Sequence, residues 1–391
     1  MPLAHSILNL VGFEIENISG RNPIVLSVAY VKNPVCPVCE GTEARIKDTF
    51  RRWVRHESFG TRAVYLHVKA HKYQCKACKR YFNSRFPGIL PYRRTTEAFR
   101  REVFEKHRDG ISQKTLSERL SIGNATVERW FQDFLDLKLA QRQNNPCPRV
   151  LGIDEHFFTK KEGYATTFCD VGNRSIYDVV LGRSERSLGD YFRALPERNK
   201  AKVVIMDLSE TYRSLIKKYM PQAKIVADRF HVIRLVNHHF LKVWQLIDPE
   251  GRKNRGLLSL MRRHQERLKA EQRLRLFHYF SRFPGLETIW EFKQRLCRLL
   301  LIKHRTKKQC KALIPLFLRR LHDLKASPFE SMQILGKTLE SWNEEIVRMW
   351  RFSKSNGVTE GFHNKMEMIS RRAYGFRNFE NYRLRVRVLC S

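Results

Sequence analysis

Two cysteine pairs, Cys36-Pro37-Val38-Cys39 and Cys75-Lys76-Ala77-Cys78, constrain this chain more than any other feature. In a C-x-x-C turn two thiolates can reach one ion, and two such turns complete a tetrahedral Zn²⁺ shell. A single redox dithiol would not explain two pairs at this separation. The segment between the pairs fits a small β-hairpin, with an alternating stretch from Arg62 to Lys72. Zn²⁺ held by Cys36, Cys39, Cys75 and Cys78 is expected to be structural, because four protein ligands leave no open position. Lys72, Lys76, Lys79 and Arg80 surround the second knuckle and would offset its negative charge. The other cysteines, Cys147, Cys169, Cys297, Cys310 and Cys390, are scattered and read as buried thiols in a reducing compartment.

The knuckle itself leaves contact with DNA open, and the charge bears on the partner more directly. The 391 residues carry 74 Lys and Arg against 39 Asp and Glu, a formal net charge of +35. That excess fits a polyanionic partner, with nucleic acid foremost. A hydrophobic content of 42% with 25 Phe excludes a chain disordered throughout. No apolar run approaches the ~18 residues of a membrane span, so no membrane role is expected. The first ten residues lack a charged region followed by an apolar core, so no secretory leader is expected.

Residues 1–92 hold the zinc module, preceded by a β-like stretch from Ile24 to Val31. Residues 93–143 turn helical and contain a helix-turn-helix pattern starting at Ile111. Ser112 can cap a first helix with Leu116 and Leu120 inward; Gly123 would take the left-handed turn position and Asn124 would cap a second helix. Val127, Trp130, Phe131 and Phe134 would face inward, leaving Thr126, Glu128, Arg129 and Gln132 as candidates to reach base edges. Asn144-Asn145-Pro146-Cys147-Pro148 reads as a linker.

From 149 to 391 the pattern is that of a mixed α/β sheet: three strands, then alternating helix and strand. A helical block at about 232–350 interrupts it; between Gly251 and Lys325 lie 21 Lys and Arg against 5 Asp and Glu. Trp342, Trp350 and Phe352 read as core rather than as base-stacking wedges. Asp154 follows the apolar run Leu151-Gly152-Ile153, and Asp207 follows Val203-Val204-Ile205-Met206. Two carboxylates brought side by side repel unless divalent cations relieve them, and a third acid would complete a two-metal site. Candidates for the third are Asp228, Asp170 and Glu360. A helix starting at Asn356 or Thr359 would carry Glu360 and Asn364 on one face, followed by Lys365, Arg371 and Arg372 for a phosphate-rich substrate.

The order of these parts resembles bacterial insertion-sequence transposases of the ISL3 group. The matching residues include both knuckles, the helix-turn-helix, Gly152-Ile153-Asp154-Glu155, Met206-Asp207-Leu208-Ser209, Ala227-Asp228-Arg229-Phe230-His231-Val232 and Asn356-Gly357-Val358-Thr359-Glu360-Gly361. Arg371-Arg372-Ala373-Tyr374-Gly375-Phe376 resembles the group's C-terminal signature. The resemblance implies a ribonuclease-H-like catalytic domain with an all-helical insertion, and a catalytic triad of Asp154, Asp207 and Glu360. It implies Mg²⁺ or Mn²⁺ on those acids and puts Asp228-Arg229-Phe230-His231 beside the site, where Asp228 or His231 either supports metal or DNA or makes a strand-end hydrogen bond, and His156 is open in the same way. It further implies binding to terminal inverted repeats and target DNA, end cleavage and strand transfer, a homodimer or higher oligomer on DNA, and a cytoplasmic, nucleoid-associated location. A non-catalytic DNA-binding regulator and a structure-specific nuclease of the same fold share the charge and the N-terminal modules.

Overall fold

The structure is a computed structural model describing residues 8–141, 146–352 and 357–390, with the side chains of Val358 and Glu360 outside the description. Asn144 and Asn145 of the linker, and the helix start considered at Asn356, lie outside the described residues. The chain divides into two compact units, Met1–Gln141 and Arg142–Ser391.

In the first unit, β1 (Phe13–Ser19) pairs antiparallel with β2 (Ile24–Tyr30), and β3 (Ala44–Phe59) forms a long hairpin with β4 (Arg62–Cys75). β2 runs parallel to β4, and the short β5 (Tyr81–Asn83) pairs with the far end of β4. The zinc hairpin is therefore larger than expected and continuous with the N-terminal strands. The parallel β2–β4 pairing joins distant segments, so no local turn signal announces it. Alternate residues Val64, Leu66, Val68 and Ala70 of β4 bury one face against Phe13, Leu26, Val28 and Val54.

Three helices follow: α1 (Glu97–Arg108), α2 (Gln113–Leu120) and α3 (Asn124–Ala140). The Thr96 hydroxyl caps α1 through the Phe99 N–H and bonds the His56 ring at 3.0 Å, seating the helix on β3. Ser112 caps α2, and Leu116, Leu120, Val127 and Trp130 close the core with Phe99 and Val103. The turn differs from the expected one. Ser121 takes the left-handed conformation (φ 52°), while Gly123 (φ −68°) is the cap residue of α3 and Asn124 is its first helical residue. The Ser121 N–H accordingly reaches the Ser117 carbonyl at the end of α2.

In the second unit, β6 (Val150–Thr159), β7 (Gly163–Asp170) and β8 (Ser175–Leu181) form an antiparallel meander. After α4 (Glu185–Ala194) come β9 (Val203–Met206), α5 (Glu210–Tyr219) and β10 (Lys224–Ala227), both strands parallel to β6. The order β10-β9-β6-β7-β8 is the ribonuclease-H-like arrangement. β9 is buried along its whole length, hence its continuous apolar sequence.

The insertion is helical among the described residues: α6 (Arg229–Ile247), α7 (Pro249–Lys253), α8 (Arg255–Arg262), α9 (Ala270–Phe280), α10 (Pro284–Leu300), α11 (Lys307–Lys325), α12 (Glu330–Ser341) and α13 (Asn343–Met349). Its apolar core is continuous with that of the sheet. The buried Arg229 guanidinium donates to the carbonyls of Leu300, Ile302 and Met349, tying the start of the insertion to its end. Arg213 of α5 grips the buried Glu345 of α13 through two bonds of 3.0 and 2.9 Å. Trp342 and Trp350 are buried in this core, and Phe352 packs against it, as expected of them. The chain then returns through α14 (Gly357–Arg372) and α15 (Phe379–Leu389), where Arg383 holds the buried Asp178 of β8 by two 2.8 Å bonds.

Candidate metal centres and nucleic-acid interface

The four cysteine sulfurs lie within 4.8 Å of one another, with Cys36–Cys78 at 3.6 Å and Cys39–Cys75 at 3.5 Å. Ligands about 2.3 Å from a tetrahedral Zn²⁺ stand roughly 3.8 Å apart, so the donors fit that ion. The two knuckles have matching backbones. Glu40 N–H bonds Cys36 O and Lys79 N–H bonds Cys75 O, with Glu40 and Lys79 both left-handed (φ 57° and 60°). Within each turn the amides aim at the first sulfur: the N–H groups of Cys39 and Val38 bring the Cys36 thiol down to about 6 and that of Cys78 lowers Cys75, whereas the neighbouring Cys78 and Cys75 sulfurs push Cys39 up to about 11, a crowding that a cation relieves. Anionic thiolates are what a cation requires.

In the helix-turn-helix, Arg129 is exposed, while Thr126, Glu128 and Gln132 are half-buried. Glu128 accepts from Gln113 of α2, and the Gln132 amide reaches Asp136 at 3.3 Å, so both carboxylate and amide already have partners within the unit.

The acids of the second unit are aligned by strand register. Ile153 of β6 pairs with Met206 of β9, and Met206 pairs with Ala227 of β10. The next residues are Asp154, Asp207 and Asp228, three carboxylates at one level across three parallel strands spaced about 4.8 Å apart. β6 does not end at Asp154 as expected, but continues to Thr159 because its far half pairs with β7. Burial first, then the charges of Asp207 and Asp228, pushes Asp154 up to about 7, against the opposing pull of His231. Burial also raises Asp207, whose Oδ1 is buried without a hydrogen-bond partner. Among the described residues the cysteines are the one set of three or more such donors that all lie within 4.8 Å of one another. A two-metal site, with ions about 3.5–4 Å apart, does not require its carboxylates to share one point. Hard oxygen donors, one orphaned oxygen and mutual repulsion together fit Mg²⁺ or Mn²⁺.

Asp228 also caps α6, its carboxylate accepting from the Phe230 N–H at 3.4 Å. His231, one turn along, places Nε2 4.0 Å from Asp154 and 3.8 Å from Asp228. Asp170 is not near these groups. It pairs with Leu151, at the other end of β6, and its carboxylate closes the turn to Gly172 and Asn173.

Glu360 lies in the first turn of α14, its side chain outside the described residues. His363, three residues on and so on the same helix face, points Nδ1 at Asp154 Oδ2 from 3.9 Å. A polar chain runs from there: His363 Nε2 to Thr167 (3.2 Å), Thr167 to His156 Nδ1 (2.9 Å), His156 Nε2 to Tyr382 of α15 (3.0 Å). Burial depresses His363 to about 4 and His156 to about 3, so both rings are neutral at physiological pH. Sequence reasoning missed His363, Thr167 and Tyr382. The helical spacing from Glu360 marks His363; Thr167 is found only through its pairing opposite Asp154. Of the expected phosphate contacts, Lys365 donates to the Leu389 carbonyl, Arg371 pairs with Glu367 and Arg372 is exposed.

Three family models match the chain. Residues 32–78 match the zinc-finger of transposases IS204/IS1001/IS1096/IS1165. Residues 85–135 match the helix-turn-helix domain of transposase family ISL3. Residues 151–386, more than half the chain, match the ISL3 transposase DDE domain. The chain is also 22% identical over 406 residues to the transposase for insertion sequence element IS1001 of Bordetella parapertussis, covering 98% of this chain and 97% of that protein. No helix among the described residues is long and apolar enough to cross a membrane. With a zinc ribbon, a DNA-binding helix-turn-helix and a ribonuclease-H-like DDE domain in this order, the chain belongs to the ISL3 family of transposases.

Proposed function

We propose that this protein binds the terminal inverted repeats of an insertion sequence, cleaves the element ends and joins them to target DNA. The observation that carries the reading is the strand register that brings Asp154, Asp207 and Asp228 to one level, with α14 and His363 adjoining. In this reading Asp154, Asp207 and Glu360 hold two divalent cations, and Asp228 and His231 support them. Bound there, the cations supply an activated water and charge stabilisation at the leaving oxygen. The freed 3′-hydroxyl then attacks a target phosphodiester in the same pocket, forming a new phosphodiester as the target's own P–O3′ bond breaks and its 3′-oxygen leaves as a hydroxyl. No covalent protein–DNA intermediate forms, because the carboxylates act as ligands rather than nucleophiles.

The chain's own groups orient this site. The Tyr382–His156–Thr167–His363 chain holds a neutral imidazole against Asp154, limiting where its carboxylate can turn. The zinc ribbon and the helix-turn-helix, with Thr126, Glu128, Arg129 and Gln132 on α3, supply end recognition; the basic insertion with Lys365, Arg371 and Arg372 grips phosphates, a grip that weakens steeply with salt. Two DNA ends held together call for at least a homodimer. Asp154→Ala is expected to abolish metal-dependent cleavage of a labelled end fragment while leaving its gel-shift intact. Loss of binding and cleavage together would contradict the role assigned to Asp154.

A further inference from the structure

Helix α6 starts at the acids, with Asp228 as its cap and His231 in its first turn. From there Phe230, Arg234, His238 and Lys242 form one stripe at every fourth position, rising about 18 Å along the helix. The stripe lines a groove of about 700 Å³, completed by Arg252 of α7 and Arg262 of α8. No Asp or Glu lines it. Among the described residues, Arg234, Lys242, Arg252 and Arg262 have no acidic partner, and Arg252 stands over the Trp244 ring at 5.8 Å. Phe230 is 48% exposed at the end of the groove nearest the acids. Asn237, also in the lining, spends its NH₂ on the Ile233 carbonyl and leaves its buried Oδ1 without a partner.

Arg234 and Lys242 along one helix face, with Arg252 and Arg262 across from them, no acid in the lining and an exposed ring at one end match the chemistry of an unpaired DNA strand, phosphates on the cations and a base on the ring. A duplex keeps its base faces stacked and offers none to Phe230. We propose that this groove holds a single unpaired DNA strand leading away from the cleavage site, with a base stacked on Phe230. That the strand is a cut element end rests on the function proposed above; the preference for unpaired DNA does not.

The test uses the full chain without divalent metal and a fluorescein-labelled oligothymidylate of about 16 nucleotides, with a duplex of equal length as control. Phe230→Ala should weaken oligothymidylate binding roughly tenfold, the worth of one stacked base, with an unchanged salt slope and unchanged duplex binding. Phe230→Tyr should restore it. Arg234→Ala/Lys242→Ala should flatten the salt slope by about 1.4, two phosphates at ~0.7 each, whereas the exposed pair Lys307→Ala/Lys308→Ala on α11 should not. Wild-type oligothymidylate binding by both groove variants, or equal losses on duplex, would overturn the proposal. Either result leaves end cleavage, assayed separately with metal, to stand or fall alone; a groove that binds as described in a protein that never cuts would remove only the transposition reading.

Discussion

The four-cysteine cluster fits Zn²⁺ and the acidic cluster is the one proposed to hold divalent cations, yet the two come about in opposite ways. Each cysteine pair is made within one turn, by backbone hydrogen bonds that repeat from one knuckle to the other. Its four sulfurs already stand at ligand spacing. The acids belong to three strands and a helix far apart in sequence, and only sheet register brings three of them level. One oxygen there is left without a partner and one carboxyl is pushed up to about 7. A structural ion needs a closed shell; a site that acts on phosphates needs an open one, and its residual strain is electrostatic.

The largest effect should come from breaking the closed cluster. Cys39→Ser should reduce bound zinc, measured by a metallochromic dye, from one equivalent to none. Since apparent zinc affinity in small modules is about 10–16 kcal/mol of folding free energy, the knuckle end of β3 and β4 should lose amide-exchange protection. Full protection without zinc would show that the strands alone hold the turn.

The open cluster should respond to pH. Asp154 sits at about 7 in the fold against about 3.9 in an unfolded chain. Folding therefore favours its protonated form, and the metal-free protein should lose stability as pH rises from about 4 to about 7, reaching the full penalty above 7. Comparing urea midpoints at both ends of that window, Asp154→Asn should fall less than wild type, and Mg²⁺ should recover the wild type alone. Parallel behaviour of the two proteins would contradict the electrostatic account.

A smaller effect is expected at the neighbour that orients Asp154. His363→Ala should reduce end cleavage about 10- to 100-fold, the usual cost of losing an outer partner of a metal ligand, with DNA binding unchanged. Least of all should be the exposed Lys76–Glu43 pair at 3.2 Å beside the second knuckle. Lys76→Ala should change the unfolding free energy from urea titration by no more than about 0.5 kcal/mol, because the sulfurs and not the surface charges hold that turn.

The same contrast explains what was legible in the sequence. The knuckles, the amphipathic face of α3 and the apolar strands β9 and β10 are written in neighbouring residues, and each appears where its pattern puts it. Asp154 and Asp207 are legible as acids following apolar runs. Their alignment is not, because parallel register depends on pairing across more than fifty residues. Asp170 shows the cost of that: as an acid at a strand end it looks equivalent to Asp228, but antiparallel β7 carries it to the opposite end of the strands. Thr167 and Tyr382 are ordinary residues until the sheet and α15 bring them to the two histidines. At the turn before α3, a glycine suggested the left-handed position, but the backbone gives it to Ser121, where the carbonyl of Ser117 awaits a donor.

The most direct test concerns the third acid. An end-labelled fragment carrying the inverted repeat that flanks the reading frame would be incubated with Mg²⁺ and either wild type or Glu360→Ala. The account predicts nicking at the repeat boundary by wild type alone, with equal binding by both. Tight binding with no nicking by either protein, in Mg²⁺ or Mn²⁺, would contradict it.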